Sequence, residues 1–257
     1  MGLFAKLISF TPFNKYYKEY NHRKWKAIND NLEKKLFPER IAFYKQFIKP
    51  NDLVFDVGAN IGNRTEVFLK CEANVVAVEP QPECIETLQN KFNKNVTIEQ
   101  VGLSDMEGEL EMYLASDTTV STFDSDYIKD TKAKFKYTQW NKTIKVKVTT
   151  LENLITKYGI PKFCKIDVEG FELQVLKGLR STVPYISIEY AVPERKQAMM
   201  DCIEQLNRLS PDGKFNYSIE ESMNWALQTW MDYAAFKQHV QLPTFDETLF
   251  GDIYFKS

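Results

Sequence analysis

Leu53-Val54-Phe55-Asp56-Val57-Gly58-Ala59-Asn60-Ile61-Gly62 decides the fold. A short apolar, β-branched run that ends in a glycine turn is the pattern of a strand covered on both faces. Residues 62–72 then read as a helix. NVVAVEP (74–80) reads as a second buried strand closed by Pro80. Residues 82–93 form the next helix, with Pro82 near its start, where a missing N–H costs nothing. NVTIEQVGL (95–103) reads as a third strand. This βαβαβ order predicts a parallel sheet with right-handed crossovers.

Further out, the rhythm changes and then resumes. GELEMYLA (108–115) and TIKVKVTTL (143–151) alternate with period two, as strands of an excursion over 105–150. The polar stretch between them, 115–135, reads as a loop. After a helix at 150–158, FCKIDVEG (163–170) is a fourth buried strand, followed by a helix at 171–180. YISIEYA (185–191), a helix from Pro193 to about Leu209, FNYSI (215–219) and the closing GDIYFKS (251–257) complete the series. Trp225, Trp230, Tyr233 and Phe236 give 222–241 a helical reading, as an insertion before the last strand that spans about 222–248. Its aromatics are expected to be core, with a substrate-facing role left open. Upstream, Asn21–Phe37 and Glu39–Ile48 read as helices, with Pro38 in the first turn of the second. Residues 1–50 thus form a helical arm on a body of 51–257.

Composition is that of a globular chain: 257 residues, 44% hydrophobic and 26% charged. No run of about 20 apolar residues suits a membrane span. The opening MGLFAKLISFTPF is too short and interrupted for a signal peptide, and Lys6 breaks the myristoylation pattern. Four separated cysteines and two histidines, His22 and His239, offer no zinc-type cluster. A reducing, cytoplasmic setting is the expectation. The net charge of −2 hides an asymmetry, because the first 50 residues carry 11 Lys and Arg against 4 Asp and Glu. Such a basic, aromatic arm suits weak contact with an anionic membrane surface, but packing its aromatics on the body is the favoured reading. The acidic body argues against nucleic acid as a partner, since phosphate binding needs basic surface.

The chemistry sits at the strand ends. The turn is G-x-N-x-G, not the G-x-G-x-x-G of dinucleotide sites, and Asp56 precedes its first glycine. That arrangement suits a cofactor with no pyrophosphate and with a cationic amino group, which S-adenosylmethionine has and NAD lacks. Glu79 ends the second strand, 23 residues after Asp56. There a carboxylate can accept both ribose hydroxyls. Asp167, Glu169 and Glu189 add acids at the ends of strands four and five. In an open α/β sheet these ends share one rim, and a cationic sulfonium fits an acidic rim. Glu172 reads as a helix-terminal charge favoured by the dipole. A magnesium ion bridging Asp167 and Glu189 is conceivable, but two acids are thin support and no metal is expected.

FDVGANIG, then VEP, VGLSD, VTTLENL, KIDVEGFELQVLKG and ISIEY together resemble the FkbM family of S-adenosylmethionine-dependent methyltransferases. The resemblance runs over about residues 38 to 192 and the closing strand. It implies a class I methyltransferase fold: a seven-stranded, mostly parallel sheet with an antiparallel last strand and helices on both faces. It implies O-methylation of a glycan or other small hydroxylated acceptor. By this likeness Asp56, Gly58, Asn60, Gly62 and Glu79 hold the cofactor, and Leu103, Ser104 and Asp105 border its adenine. Ser121-Thr122 falls where the family carries a small-hydroxyl pair, and Asp167, Glu169 and Gly170 lie beside the transferred methyl. A hydroxyl acceptor must lose a proton, so a base is required. Asp167 is the first candidate, Glu169 the second and His239 an outside one. The alternative is a non-catalytic adenosine-nucleotide-binding or scaffold protein on the same fold.

Overall fold

The computed structural model describes residues 36–257. The expectations for the helix Asn21–Phe37 before residue 36, and for membrane contact by the arm, lie outside the described residues. The chain enters in a helix at 36–44 and then lays down β1 (Leu53–Val57), β2 (Asn74–Val78) and β3 (Thr97–Glu99). A small second sheet follows, made of β4 (Gly102–Leu103), β5 (Gly108–Leu114) and β6 (Lys142–Thr149). The main sheet resumes with β7 (Phe163–Ile166), β8 (Tyr185–Ala191), β9 (Lys214–Ile219) and β10 (Phe250–Lys256). Its order is β3-β2-β1-β7-β8-β10-β9, and only β10 runs against the rest. This is the expected seven-stranded class I methyltransferase architecture. The chain moves outward from β1 through β2 to β3 and then returns to the other side of β1. The order therefore reverses between β1 and β7, and ligands of open sheets bind at the strand ends above such a reversal.

Alternation along the strands feeds two cores. Phe55, Val57, Ile166 and Ile188 pack with Leu151, Val175, Leu176 and Ile203 of the helices on one face. Val54, Ala77, Phe163 and Tyr254 pack on the other face with Phe43, Tyr44 and Phe47 of the entering segment and Phe68 of the helix Asn63–Lys70. Residues 36–48 are thus built into the second core. The Phe47 ring stacks on Tyr185 with centroids 5.1 Å apart. This face also carries a polar row. Asp56, Lys165, Ser187, Tyr254 and Asn216 lie side by side on five neighbouring strands.

Three stretches depart from their sequence reading. The third strand divides: Thr97–Glu99 pairs with β2, whereas Gly102–Leu103 pairs with β6. Gly102 permits this because a Cβ there would stand 2.7 Å from the Phe123 ring. The polar stretch read as a loop contains the helix Ser125–Thr131, capped by the Asp124 carboxylate and tied down by Arg195 to Asp124 and to Asp130. Of 222–241 only Tyr233–Gln241 is helical. The Asn216 side chain holds Leu227 through both its backbone N–H and its carbonyl, at 3.1 and 3.0 Å, which takes those groups away from a helix. Trp225 packs 4.5 Å from Phe43 and donates to Gln46 Oε1, so it belongs to the core.

Candidate active site

The turn after β1 shows why its residues are what they are. Gly58, Asn60 and Gly62 all have positive φ, at 82°, 48° and 81°. Glycine occupies this region freely, and asparagine tolerates it better than most residues. At Gly58 the demand is also steric: a Cβ would lie 1.7 Å from the Asp167 carbonyl oxygen. The turn is stitched to its neighbours by Gly58 N–H to the Val78 carbonyl at 2.9 Å and by Asp167 N–H to the Val57 carbonyl at 3.0 Å. The ends of β1, β2 and β7 are therefore one rigid rim.

Beside this rim lies a cavity of about 250 Å³, near the lower end of the range for small-molecule sites. Val101, Leu103, Met112 and Phe123 are the apolar part of its lining, which Glu79 shares. The Glu79 carboxylate is fixed by two backbone donors, Asn60 N–H at 2.9 Å and Gln81 N–H at 2.8 Å. Each oxygen keeps a further lone pair for a ligand hydroxyl. Burial, the larger influence, raises the Glu79 pKa against these donors. Asp56 is buried as well, accepts from Thr65 Oγ1 at 2.5 Å and is likewise raised by burial. An acid-lined cavity with an apolar part to its lining fits an adenosyl group that carries a cationic sulfonium. Asp56, Glu79 and the glycine turn would hold it.

The third group of acids converges beyond β7 and β8. One carboxylate oxygen from each of Asp167, Glu169 and Glu189 lies within 4.8 Å of the others. Lys165, nearly buried, places its ammonium 2.6 Å from Asp167 and 4.0 Å from Asp252. Glu169 receives a short hydrogen bond from the Tyr127 hydroxyl, and its backbone is left-handed at φ 54°. Burial first, and the Asp167 charge second, raise the pKa values of both Glu169 and Glu189 well above the carboxylate range. Carboxylates so close make the proton harder to remove from Glu169 and Glu189 and so make both more basic than an exposed carboxylate. Oxygen donors of this kind also suit a hard divalent cation, but the Lys165 ammonium already supplies positive charge at Asp167.

Several expected residues stand elsewhere or act otherwise. Asp56, Gly58, Asn60, Glu79, Leu103, Ser121, Asp167 and Glu169 line the cavity. Gly62, Ser104 and Asp105 are not among its lining residues. Gly62 packs beneath the Phe92 ring, and Ser104 donates its N–H to Thr149 in the small sheet and its hydroxyl to Asp105. Thr122 donates to the Glu169 carbonyl at 2.7 Å and so shapes the turn. His239 lies among Tyr217, Phe236 and Phe245, with Nε2 3.1 Å from the Tyr217 hydroxyl, away from the cavity. Arg40, Arg64, Lys165, Phe123 and Glu221 line the cavity and were not singled out by the sequence. Arg40 and Arg64 meet Glu221 from far along the chain, so no local spacing marks them, whereas Lys165 pairs with Asp167 only two residues on.

Glu172 stands in the first turn of the helix Glu172–Lys177, as expected, and is also a buried brace. Its carboxylate accepts from Val168 N–H at 3.2 Å and Gly170 N–H at 3.0 Å, closing the turn that presents Glu169. Burial pushes its pKa up to about 7. In an unfolded chain the same group titrates near 4.3. Its contribution to stability is therefore complete below about pH 4 and is lost as pH rises through 7. Glu172→Gln keeps an acceptor oxygen and removes that loss. The variant's melting temperature is expected to fall less than the wild type's between pH 5 and pH 8. Equal slopes in parallel thermal melts would contradict the burial argument.

The comparisons with known proteins follow the same residues. The model of the methyltransferase FkbM domain matches residues 56–222, from Asp56 past the end of β9. The hexuronic acid methyltransferase AglP of Haloferax volcanii is 28% identical over 149 residues, 56% of either chain. The match thus spans little more than half of that relative's length. Among solved structures, a TehB-like SAM-dependent methyltransferase from Corynebacterium glutamicum aligns with a TM-score of 0.45 at 8% identity, covering 95% of this chain and 99% of its own. Fibrillarin from Aeropyrum pernix with bound S-adenosyl-L-methionine aligns at 0.41 and 7%, covering 82% and 68%. The fold assignment rests on the strand order itself and the family on the matched domain: the chain belongs to the FkbM methyltransferase family.

Proposed function

We propose that the protein methylates a hydroxyl oxygen of a sugar-containing acceptor, with Glu169 as the base. The observation that carries this reading is the convergence of Asp167, Glu169 and Glu189, the first two of which line the cavity that Glu79 and the glycine turn also line. The cofactor supplies an activated methyl on sulfur, so the chain's task is positioning and proton removal. Glu169 accepts the hydroxyl proton as the oxygen–methyl bond forms. Its raised pKa makes it a better acceptor than Asp167, whose carboxylate is engaged by Lys165. The base assignment therefore moves from Asp167 to Glu169. Glu79 and Asp56 are assigned to the cofactor's ribose and amino groups, and Leu103 to its base.

A sugar acceptor is supported by the relative named for hexuronic acid. The excursion near 105–150 contributes Met112, Thr118, Thr119, Ser121 and Phe123 to the cavity lining and is assigned to acceptor recognition, on a body of 51–257 that carries the cofactor; no residue of the insertion near 222–248 lines the cavity. Among the described residues no helix is long and apolar enough to cross a membrane. A cytoplasmic setting agrees with four buried free thiols, among them Cys84, which burial pushes up to about 12.

The test uses methyl-labelled S-adenosylmethionine and a panel of neutral and acidic sugars, read by product mass before and after mild alkali. A labelled product that survives alkali is the expected ether. A labelled product that alkali releases is a methyl ester, which needs no base, and it removes Glu169 from its role. Cofactor binding without a labelled product across the panel overturns the sugar acceptor.

A further inference from the structure

Part of the cavity's lining carries guanidinium charge. Arg40, Asn63, Arg64 and Glu221 are among the lining residues. Arg64 sits in the first turn of the eight-residue helix Asn63–Lys70, and its side chain is only 13% exposed. Its Nη2 makes a short bond to Glu221 Oε2, and Arg40 Nη2 reaches the same oxygen at 3.1 Å. Two guanidinium groups therefore share one carboxylate oxygen. Arg64 Nε is buried with no hydrogen-bond partner among the described residues. A guanidinium is a planar fork of five donors that matches both oxygens of a carboxylate. Here the fork of Arg64 is used on one prong.

The two partners differ in freedom. The Glu221 side chain is 43% exposed and follows the last residues of β9, where Glu220 and Met223 both have φ of 50°. The arginine is held by the fold, whereas the carboxylate reaches in from a turn at the surface. Burial, the largest single influence, raises the Glu221 pKa, but the Arg64 charge and hydrogen bond together with the Arg40 and Lys165 charges outweigh it and hold the group below the ordinary range. Glu221 is thus an anion wherever the enzyme works. The helix terminus adds partial positive charge at the same place.

We propose that Arg64 forms a carboxylate-binding subsite in which Glu221 is an internal placeholder, displaced when a ligand carboxylate takes both prongs of the fork. The proposal rests on the reading of this cavity as the methyl-transfer site. The carboxylate has two sources: the amino-acid tail of the cofactor or the acid group of a hexuronate acceptor. The chemistry is the same in both, and paired probes separate them.

Calorimetry on the full chain would compare S-adenosylhomocysteine with methylthioadenosine, which lacks the amino-acid tail, and glucuronate with glucose. Glu221→Gln removes the competing charge and keeps the shape. It is expected to tighten the carboxylate-bearing member of one pair about three- to tenfold and to leave the other member unchanged. The pair that responds names the source. Arg64→Lys, which loses the fork, is expected to weaken the same ligand about tenfold. Thermal melts check that both variants fold, and Arg64→Lys decides the matter if Glu221→Gln does not. The subsite is overturned if both members of each pair shift alike, or if neither variant changes any of the four. Failure of wild type to bind either adenosyl probe removes the methyl-transfer reading, and the sugar pair then decides the subsite. Wild type that binds none of the four probes overturns both.

Discussion

Gly58→Ala is expected to cost about 4 kcal/mol or more and to abolish cofactor binding. Two independent terms add. A side chain at φ 82° occupies the left-handed region at roughly 1–2 kcal/mol. The new Cβ would also stand 1.7 Å from the Asp167 carbonyl oxygen and 2.8 Å from its carbon, both backbone atoms with no rotamer to escape into. Relief demands that the ends of β1 and β7 part. Those ends carry Asp56 on one side and Asp167 and Glu169 on the other, so the strain is released through the site. For a domain of this size the loss corresponds to a fall in melting temperature on the order of 10 °C. Gly108→Ala is the matched control, because nothing lies within 4 Å of its Cβ position. It is expected to stay within about 0.5 kcal/mol. If Gly58→Ala melted with the control and still bound S-adenosylhomocysteine, the close approach of these strand ends would not be a property of the molecule in solution.

The same glycine marks what a sequence can and cannot disclose. β1, β2, β7 and β8 were legible because burial on both faces leaves few alternatives to an apolar run, and the turn was legible because its φ values admit few residues. Asn60 was legible for an incomplete reason. It reads as a cofactor ligand, and the structure adds that φ 48° and the support of Glu79 account for its place. Convergence across the fold left no local trace. Glu169 and Glu189 meet only because β7 and β8 are neighbours, and Arg64 meets Glu221 across 157 residues. Tyr127 lay hidden in a polar stretch whose helix is held by Arg195, a contact spanning 71 residues to Asp124. Ser104 and Asp105 fail as cavity residues because the third strand leaves the main sheet after Glu99, which the uninterrupted pattern of NVTIEQVGL does not announce.

Glu169→Gln is expected to lower kcat by about 10²- to 10⁴-fold, the usual share of a positioned base, while S-adenosylhomocysteine binds nearly as before. It is also expected to leave the melting temperature unchanged or higher. Asp167, Glu169 and Glu189 repel one another in a buried place, so removing one charge relieves the fold even as it removes the base. With Glu169 as the proposed base, the acidic limb of the rate profile is expected to follow the ionisation of this carboxyl, turnover falling as pH drops through its raised pKa. Tyr127 donates to the ionised form and so keeps that pKa from rising further. Tyr127→Phe is therefore expected to move the acidic limb to higher pH and to spare the plateau, a shift that loss of packing against Gly170 alone would not produce. Asp167→Asn supplies the contrast. If it abolished turnover while Glu169→Gln kept it, and the limb stayed in place in Tyr127→Phe, the proton would pass to Asp167. Lys165 would then have to give up its hold on that carboxylate during the reaction.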